Sequence, residues 1–163
     1  QKVVTEDLCD RDFNMRVEEI DASADVVVVF GGTNDFGHGD APIGKFTDNT
    51  VYTFYGALHV LYRQLLERFP EKDIIVLTPL HRLSENVTIN ERGIPCEPLK
   101  KYVEAIREVA EYYSLPVLDL WKMSGMQPSV DVIREKYMPD GLHPSDLGAA
   151  KIADKLRDFL ISL

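Results

Sequence analysis

The sequence has little cysteine, little positive charge and no long apolar run. Cys9 and Cys96 are its two cysteines, which excludes a disulfide framework and a C-x-x-C pair, favours a cytoplasmic compartment and leaves export open. The longest apolar run, Val26 to Phe30, is far shorter than the roughly 20 residues that a membrane-spanning helix needs. The 18 Lys and Arg against 27 Asp and Glu give a net charge of −9, which argues against a nucleic-acid partner.

The remaining composition is that of an ordinary globular protein, with 45% apolar and 28% charged residues. We therefore expect residues 1–163 to form a single domain. Hydrophobic periodicity predicts strands in alternation with helices, and apolar strands of this kind are typical of a parallel sheet covered on both faces. The predicted strands are 25–30, 74–77 and 116–120; the predicted helices are 13–20 (N-cap Asp10), 48–69, 98–113, 129–136 and one after Pro144; the long loops are 31–45 and 80–96.

Two short segments could carry chemistry at the carboxyl ends of these strands, where ligands bind to open α/β sheets. Asn34 follows the first strand, and its amide could donate hydrogen bonds to a developing oxyanion. Asp140 precedes His143 by three residues, with Gly141 allowing a tight turn, so the carboxylate could orient the imidazole. Each segment alone is also explained by ordinary turn residues. Their joint occurrence at one rim favours the catalytic interpretation.

These segments resemble the conserved blocks of the SGNH hydrolases, also called GDSL-type esterases. Gly32-Thr33-Asn34-Asp35 matches the G-x-N-D block, and Asp140-Gly141-Leu142-His143 matches the D-x-x-H block. The resemblance implies a flavodoxin-like three-layer α/β/α domain, acyl-ester hydrolysis through an acyl-enzyme, and no metal or other cofactor. It also implies that Asn34 is an oxyanion donor, His143 the general base and then acid, and Asp140 its orienter.

The sequence departs from this family because it contains no Gly-Asp-Ser, the motif that holds the nucleophilic serine. The resemblance therefore predicts an N-terminally truncated chain whose first two strands and nucleophile precede Gln1. Without them, the apolar strand that ends at Phe30 would expose an open edge, which favours aggregation unless another segment covers it. We expect this fragment alone to be nearly inactive.

Further residues should surround the site. The substrate-binding residues are predicted to be Gly32, Phe36, His38 and His81, with Arg82 beside them, although the side chains in these loops could equally be solvated. The expected partner is a small-molecule, carbohydrate or lipid ester, and the oligomeric state is left open.

Three alternatives to an esterase remain. Asp35, His38, Asp40, Asp140 and His143 could instead hold a metal. A catalytically silent domain that binds a carbohydrate or a protein is the main alternative function. A receiver-like signalling domain ranks last.

Overall fold

The computed structural model describes residues 12–163, which contain one sheet of three parallel strands. The strands are β1 (Val26–Phe30), β2 (Asp73–Leu77) and β3 (Val117–Leu118), in the spatial order β1-β2-β3. Val27 of β1 is in register with Ile74 of β2. The predicted α/β class and the order of the strands are confirmed. The predicted third strand was too long, because Asp119 leaves the sheet to cap a short helix, α5 (Leu120–Met123).

Helices pack against both faces of β2, whose side chains point alternately into two cores. Ile74 and Val76 belong to a core formed with α3 (Phe54–Arg68) and α4 (Leu99–Tyr112). Ile75 and Leu77 face the other way, into a second core that includes residues of α7 (Asp146–Ser162). Before α7 lies α6 (Asp131–Tyr137), whose Tyr137 packs against the second core. None of the helices within residues 12–163 has the length and apolar content to cross a membrane.

One face of β1 is bare within the described part of the chain. Val26, Val28 and Phe30 share the face of Ile75 and Leu77, yet they are 37%, 41% and 42% exposed. Among residues 12–163, β1 pairs only with β2. The expected open, apolar edge is therefore present.

One predicted helix start was wrong because a nearby residue provides the cap. The long helix α3 begins at Phe54 rather than Asp48, since Thr53 Oγ1 accepts a hydrogen bond from Gly56 N at 3.2 Å. Asp48 stabilises the preceding turn instead, accepting hydrogen bonds from Lys45 N and Thr53 Oγ1. The first helix, α1 (Phe13–Arg16), is capped by Asp12 and continues as a 3₁₀ turn, Val17–Glu19. The predicted cap Asp10 lies outside the described residues.

The predicted loop from Gly31 to Lys45 was also wrong in part, because it contains a helix, α2 (Thr33–His38). The ring of Phe36 is 1% exposed and packs edge-on against Tyr102 of α4, with 6.0 Å between ring centroids. Burial of this aromatic side chain stabilises a helix that its glycine-rich sequence does not favour by itself.

Candidate active site

Asn34 lies in the first turn of α2, immediately beyond the carboxyl end of β1, and is exposed. Gly32 connects the strand to the helix with a φ of +104°, a conformation that L side chains rarely adopt. A Cβ at Gly32 would lie 2.9 Å from Cδ1 of Ile106 in α4. Gly32 is thus required for the turn that carries Asn34 to the rim of the sheet.

The residues around Asn34 line a cavity at the end of β1. Asp35 and His38, both half-buried, border it together with Gly32 and Asn34. Burial of the Asp35 carboxyl raises its pKa above the ordinary value. His38 is therefore placed at the Asn34 cavity, as the sequence suggested, whereas its part in substrate binding stays a prediction.

The Asp140 carboxylate uses its two oxygens for different purposes. Oδ1 accepts hydrogen bonds from the backbone N of Leu142 at 2.9 Å and of His143 at 2.7 Å. Oδ2 lies 2.7 Å from Nδ1 of the His143 ring. Gly141, with a φ of +77°, allows the tight turn that brings these groups together. One carboxylate therefore both folds the loop and holds the imidazole.

The charge on Asp140 determines which nitrogen of His143 is available. The hydrogen bond to the His143 side chain, together with those from the two backbone N–H groups, holds the pKa of Asp140 well below its usual range. An ionised carboxylate only accepts hydrogen bonds, so Nδ1 must carry the hydrogen and Nε2 is the basic nitrogen. The His143 side chain is 75% exposed, which leaves its ring accessible from solvent.

The helix that carries Asn34 and the turn that precedes His143 border one cleft, which is distinct from the Asn34 cavity. Phe36 and Gly37 of α2 form part of its wall, and Asp140 to Leu142 form another part. The remaining wall is the loop that follows β2, which includes Arg82 and Glu91. The helix of Asn34 and the loop of His143 thus lie at the same end of the sheet.

Phe36 and His81 occupy less open positions than the sequence suggested. Phe36 borders the cleft but is buried under the Arg82 guanidinium, whose Cζ lies 5.4 Å from the ring centroid. The ring of His81 packs against that of Trp121, with 3.8 Å between the ring centroids, and Nδ1 of His81 lies 2.9 Å from Oε2 of Glu85. The contacts of both side chains hold the loops around the site in place.

Sequence reasoning missed Asn90 and Glu91, which attach the loop after β2 to α2. Asn90 Nδ2 donates a hydrogen bond to the carbonyl of Gly39 at 2.8 Å, and Glu91 N donates one to the carbonyl of Gly37 at 2.9 Å. An Asn followed three residues later by Gly93 signals a turn, but it does not show which helix the turn contacts. As for the alternative metal site, no group of three potential His, Cys, Asp or Glu ligands comes together within residues 12–163.

Comparisons with known proteins agree with the α/β fold and identify the family. Residues 5–151 match the sequence profile of the GDSL-like lipase/acylhydrolase family. A protein of known crystal structure is 34% identical in sequence to this chain, with a TM-score of 0.84, and the match covers 100% of this chain and 75% of the other chain. A protein from Lactobacillus plantarum is 32% identical, with a TM-score of 0.81, over 91% and 72%. A lipase/acylhydrolase from Enterococcus faecalis is 28% identical, with a TM-score of 0.54, over 81% and 58%. No curated protein matches the sequence.

Proposed function

Because this chain belongs to the GDSL-like lipase/acylhydrolase family, we propose that it supplies three of the groups with which a serine hydrolase cleaves carboxylic esters. His143 is the general base and then the general acid, Asp140 orients it, and Asn34 donates a hydrogen bond to the oxyanion. The nucleophile is a serine in a segment that precedes Gln1 in the parent chain.

The observation that carries this proposal is the hydrogen bond between Asp140 Oδ2 and His143 Nδ1. It fixes the tautomer and orientation of the ring, and it stabilises the imidazolium that forms when Nε2 takes a proton. An exposed His143 ring beside an ionised carboxylate is thus prepared to exchange protons with a group arriving from solvent or from another segment.

The proposed reaction has two halves. In the first, the serine oxygen attacks the ester carbonyl carbon while His143 Nε2 takes the serine proton, and Asn34 stabilises the negative carbonyl oxygen. Collapse of this intermediate breaks the bond to the alcohol, which leaves with the proton from His143. In the second half, water replaces the serine as the attacking group, and hydrolysis of the acyl-enzyme releases the acid and restores the serine.

Two features support a nucleophile outside this chain. The sequence contains no Gly-Asp-Ser. The bare apolar face and open edge of β1 offer a place for a further strand of the parent chain to pair. A fluorophosphonate probe should label one serine upstream of Gln1 in the parent protein, and residues 1–163 alone should retain about 10⁻⁶ of its turnover. Labelling of a serine within residues 1–163 would contradict this assignment.

Turnover of a short p-nitrophenyl ester by the parent protein tests the roles of the residues. Asn34→Ala should lower kcat by about 10²–10³ with little change in KM, because the oxyanion forms only in the transition state. Exposed Asn49 offers a matched control, and Asn49→Ala should behave as the wild type. Near-normal activity of His143→Ala would rule out the mechanism. A parent protein with neither labelling nor hydrolysis would instead be the silent binding domain. The small-molecule, carbohydrate or lipid ester substrate and the cytoplasmic location stay predictions.

A further inference from the structure

The loop between β2 and α4 contacts both segments that carry the proposed catalytic groups. We refer to residues 82–92 of this loop as the clamp loop. Its last residues attach to the end of α2 through the hydrogen bonds of Asn90 and Glu91 to Gly39 and Gly37. Its first residues attach to the His143 loop, since Leu83 N donates a hydrogen bond to the carbonyl of Gly141 at 2.9 Å. The clamp loop therefore bridges the helix of Asn34 and the turn of Asp140.

Arg82 connects the two ends of the clamp loop. Its side chain is 9% exposed, and Nη2 donates a hydrogen bond to Glu91 Oε1 at 2.6 Å. Its guanidinium covers the Phe36 ring, and a Cβ at Gly37 would lie 2.9 Å from Nη1. Arg82 thus packs against the middle of α2, and its ion pair with Glu91 joins the first and last residues of the clamp loop.

The contacts of Arg82 are explained better by a role in fixing the position of α2 and the clamp loop than by a role in stability alone. Its Nε is buried without a hydrogen-bond partner among the described residues, and such a group is costly to bury. The carboxylate of Glu91 is 62% exposed, and ion pairs with an exposed partner contribute little to stability. The planar guanidinium, however, covers Phe36 and binds Glu91 in one fixed orientation, which the flexible ammonium of a lysine does not impose.

We propose that Arg82 is a positioning residue, which acts through α2 to hold Asn34 at the correct place relative to His143. This inference rests on the proposed function, because it assigns Arg82 an effect on the oxyanion donor. Without the guanidinium, α2 loses its cover over Phe36, and the loop loses its internal tie to Glu91. Asn34 would then sample positions away from the oxyanion, although the helix and the base would both still be present.

A kinetic double-mutant cycle in the parent protein tests the proposal. Arg82→Met should lower kcat for a short p-nitrophenyl ester by about 10–100-fold with little change in KM, as expected for a misplacement of about 1 Å. Arg82→Lys should recover only part of this loss. Asn34→Ala should cost much less in the Arg82→Met background than in the wild type, because the donor is already misplaced there. Independent, multiplicative effects of the two substitutions would overturn the proposal.

Arg68 provides a matched structural control. It is also a largely buried arginine, with one carboxylate partner, Glu18, and a buried Nε without a partner in the described region, but it lies at the opposite end of α3 from Thr53. Arg68→Met should lower stability without changing kcat. An equal loss of kcat in Arg68→Met and Arg82→Met would overturn the positioning role, since any buried arginine would then have the same effect.

Two further comparisons keep the outcomes separate. If Arg82→Met does not fold, Glu91→Gln, a change at an exposed side chain, should lower kcat about 3-fold in the wild type and less in the Asn34→Ala background. Unchanged kcat in Glu91→Gln would then count against the proposal. If Asn34→Ala is fully active, the proposed function fails. If Asn34→Ala is impaired while Arg82→Met is not, only the role of Arg82 fails.

Discussion

Replacement of Gly141 by alanine should destabilise the protein by about 2–5 kcal/mol, because two separate penalties add at this position. The φ of +77° costs an L residue about 1–2 kcal/mol. The new Cβ would also collide with Cδ1 of Leu83 in the clamp loop, and overpacking of this kind costs about 1–3 kcal/mol.

The two penalties can be separated because only one depends on Leu83. In a Leu83→Ala background the collisions with Cδ1 and Cγ disappear and only a tight contact with Cβ at 3.2 Å remains, so the cost of Gly141→Ala should fall towards the about 1–2 kcal/mol of the backbone penalty. Gly93 is a matched control, since its φ is +74° and a Cβ there would meet no atom within 4 Å. Gly93→Ala should therefore cost about 1–2 kcal/mol with or without Leu83.

Urea unfolding of the wild type, the three single variants and the two double variants, with linear extrapolation to water, measures these differences. The expected coupling between Gly141→Ala and Leu83→Ala is about 1–3 kcal/mol, and that between Gly93→Ala and Leu83→Ala is zero. Equal costs for Gly141→Ala in both backgrounds would refute the contact between the clamp loop and the His143 turn.

Three further predictions concern individual carboxylates. Asp119→Ala should lower the free energy of unfolding by about 1–3 kcal/mol in urea titrations, because it removes the cap of α5 and leaves the Arg107 guanidinium without its carboxylate; the exposed Asp158→Ala should have little effect, and similar losses would contradict the assignment. The lowered pKa of Asp140 contributes stability that is complete above the ordinary carboxyl pKa of about 3.9 and is lost as pH falls through the folded-state pKa. The NMR signals of the two backbone amides that donate hydrogen bonds to this carboxylate should therefore not shift near pH 4 but only in stronger acid. The raised pKa of Asp35 has the opposite sign, so the folded state loses stability as pH rises above the ordinary carboxyl pKa of about 3.9. Asp35→Asn should gain stability relative to the wild type as pH rises above that value, and parallel pH profiles of the two proteins would be evidence against it.

The strands and most helices could be predicted because each depends on local apolar patterning. The first two strands were predicted to within a residue, and α4 begins directly after Pro98, as its sequence indicates. The start of α3 could not be predicted, because Asp48 and Thr53 are both good cap residues. Long-range hydrogen bonds from Phe54 N to the Pro42 carbonyl and from Tyr55 N to the Ile43 carbonyl select the later one.

In the candidate site, too, local contacts could be predicted from the sequence and long-range contacts could not. The hydrogen bond between Asp140 and His143 spans three residues, so its spacing could be read from the sequence. The contact of Arg82 with Phe36 joins residues 46 positions apart, and the contact of Leu83 with Gly141 joins residues 58 apart. Nothing in either local sequence specifies such partners. The sequence therefore predicts which groups could react, while the packing that fixes their separation emerges only in the folded chain.

The contact between Ile106 and the glycine turn before Asn34 matters for anyone who wishes to make this protein more heat-resistant. Ile106 belongs to the core, where larger or better-fitting side chains are the usual choice for thermostabilisation. Here the same side chain sits against Gly32, so a bulkier replacement would push on the start of α2. Screening of core variants at this position by melting temperature alone would therefore select stable proteins in which Asn34, the proposed oxyanion donor, is displaced.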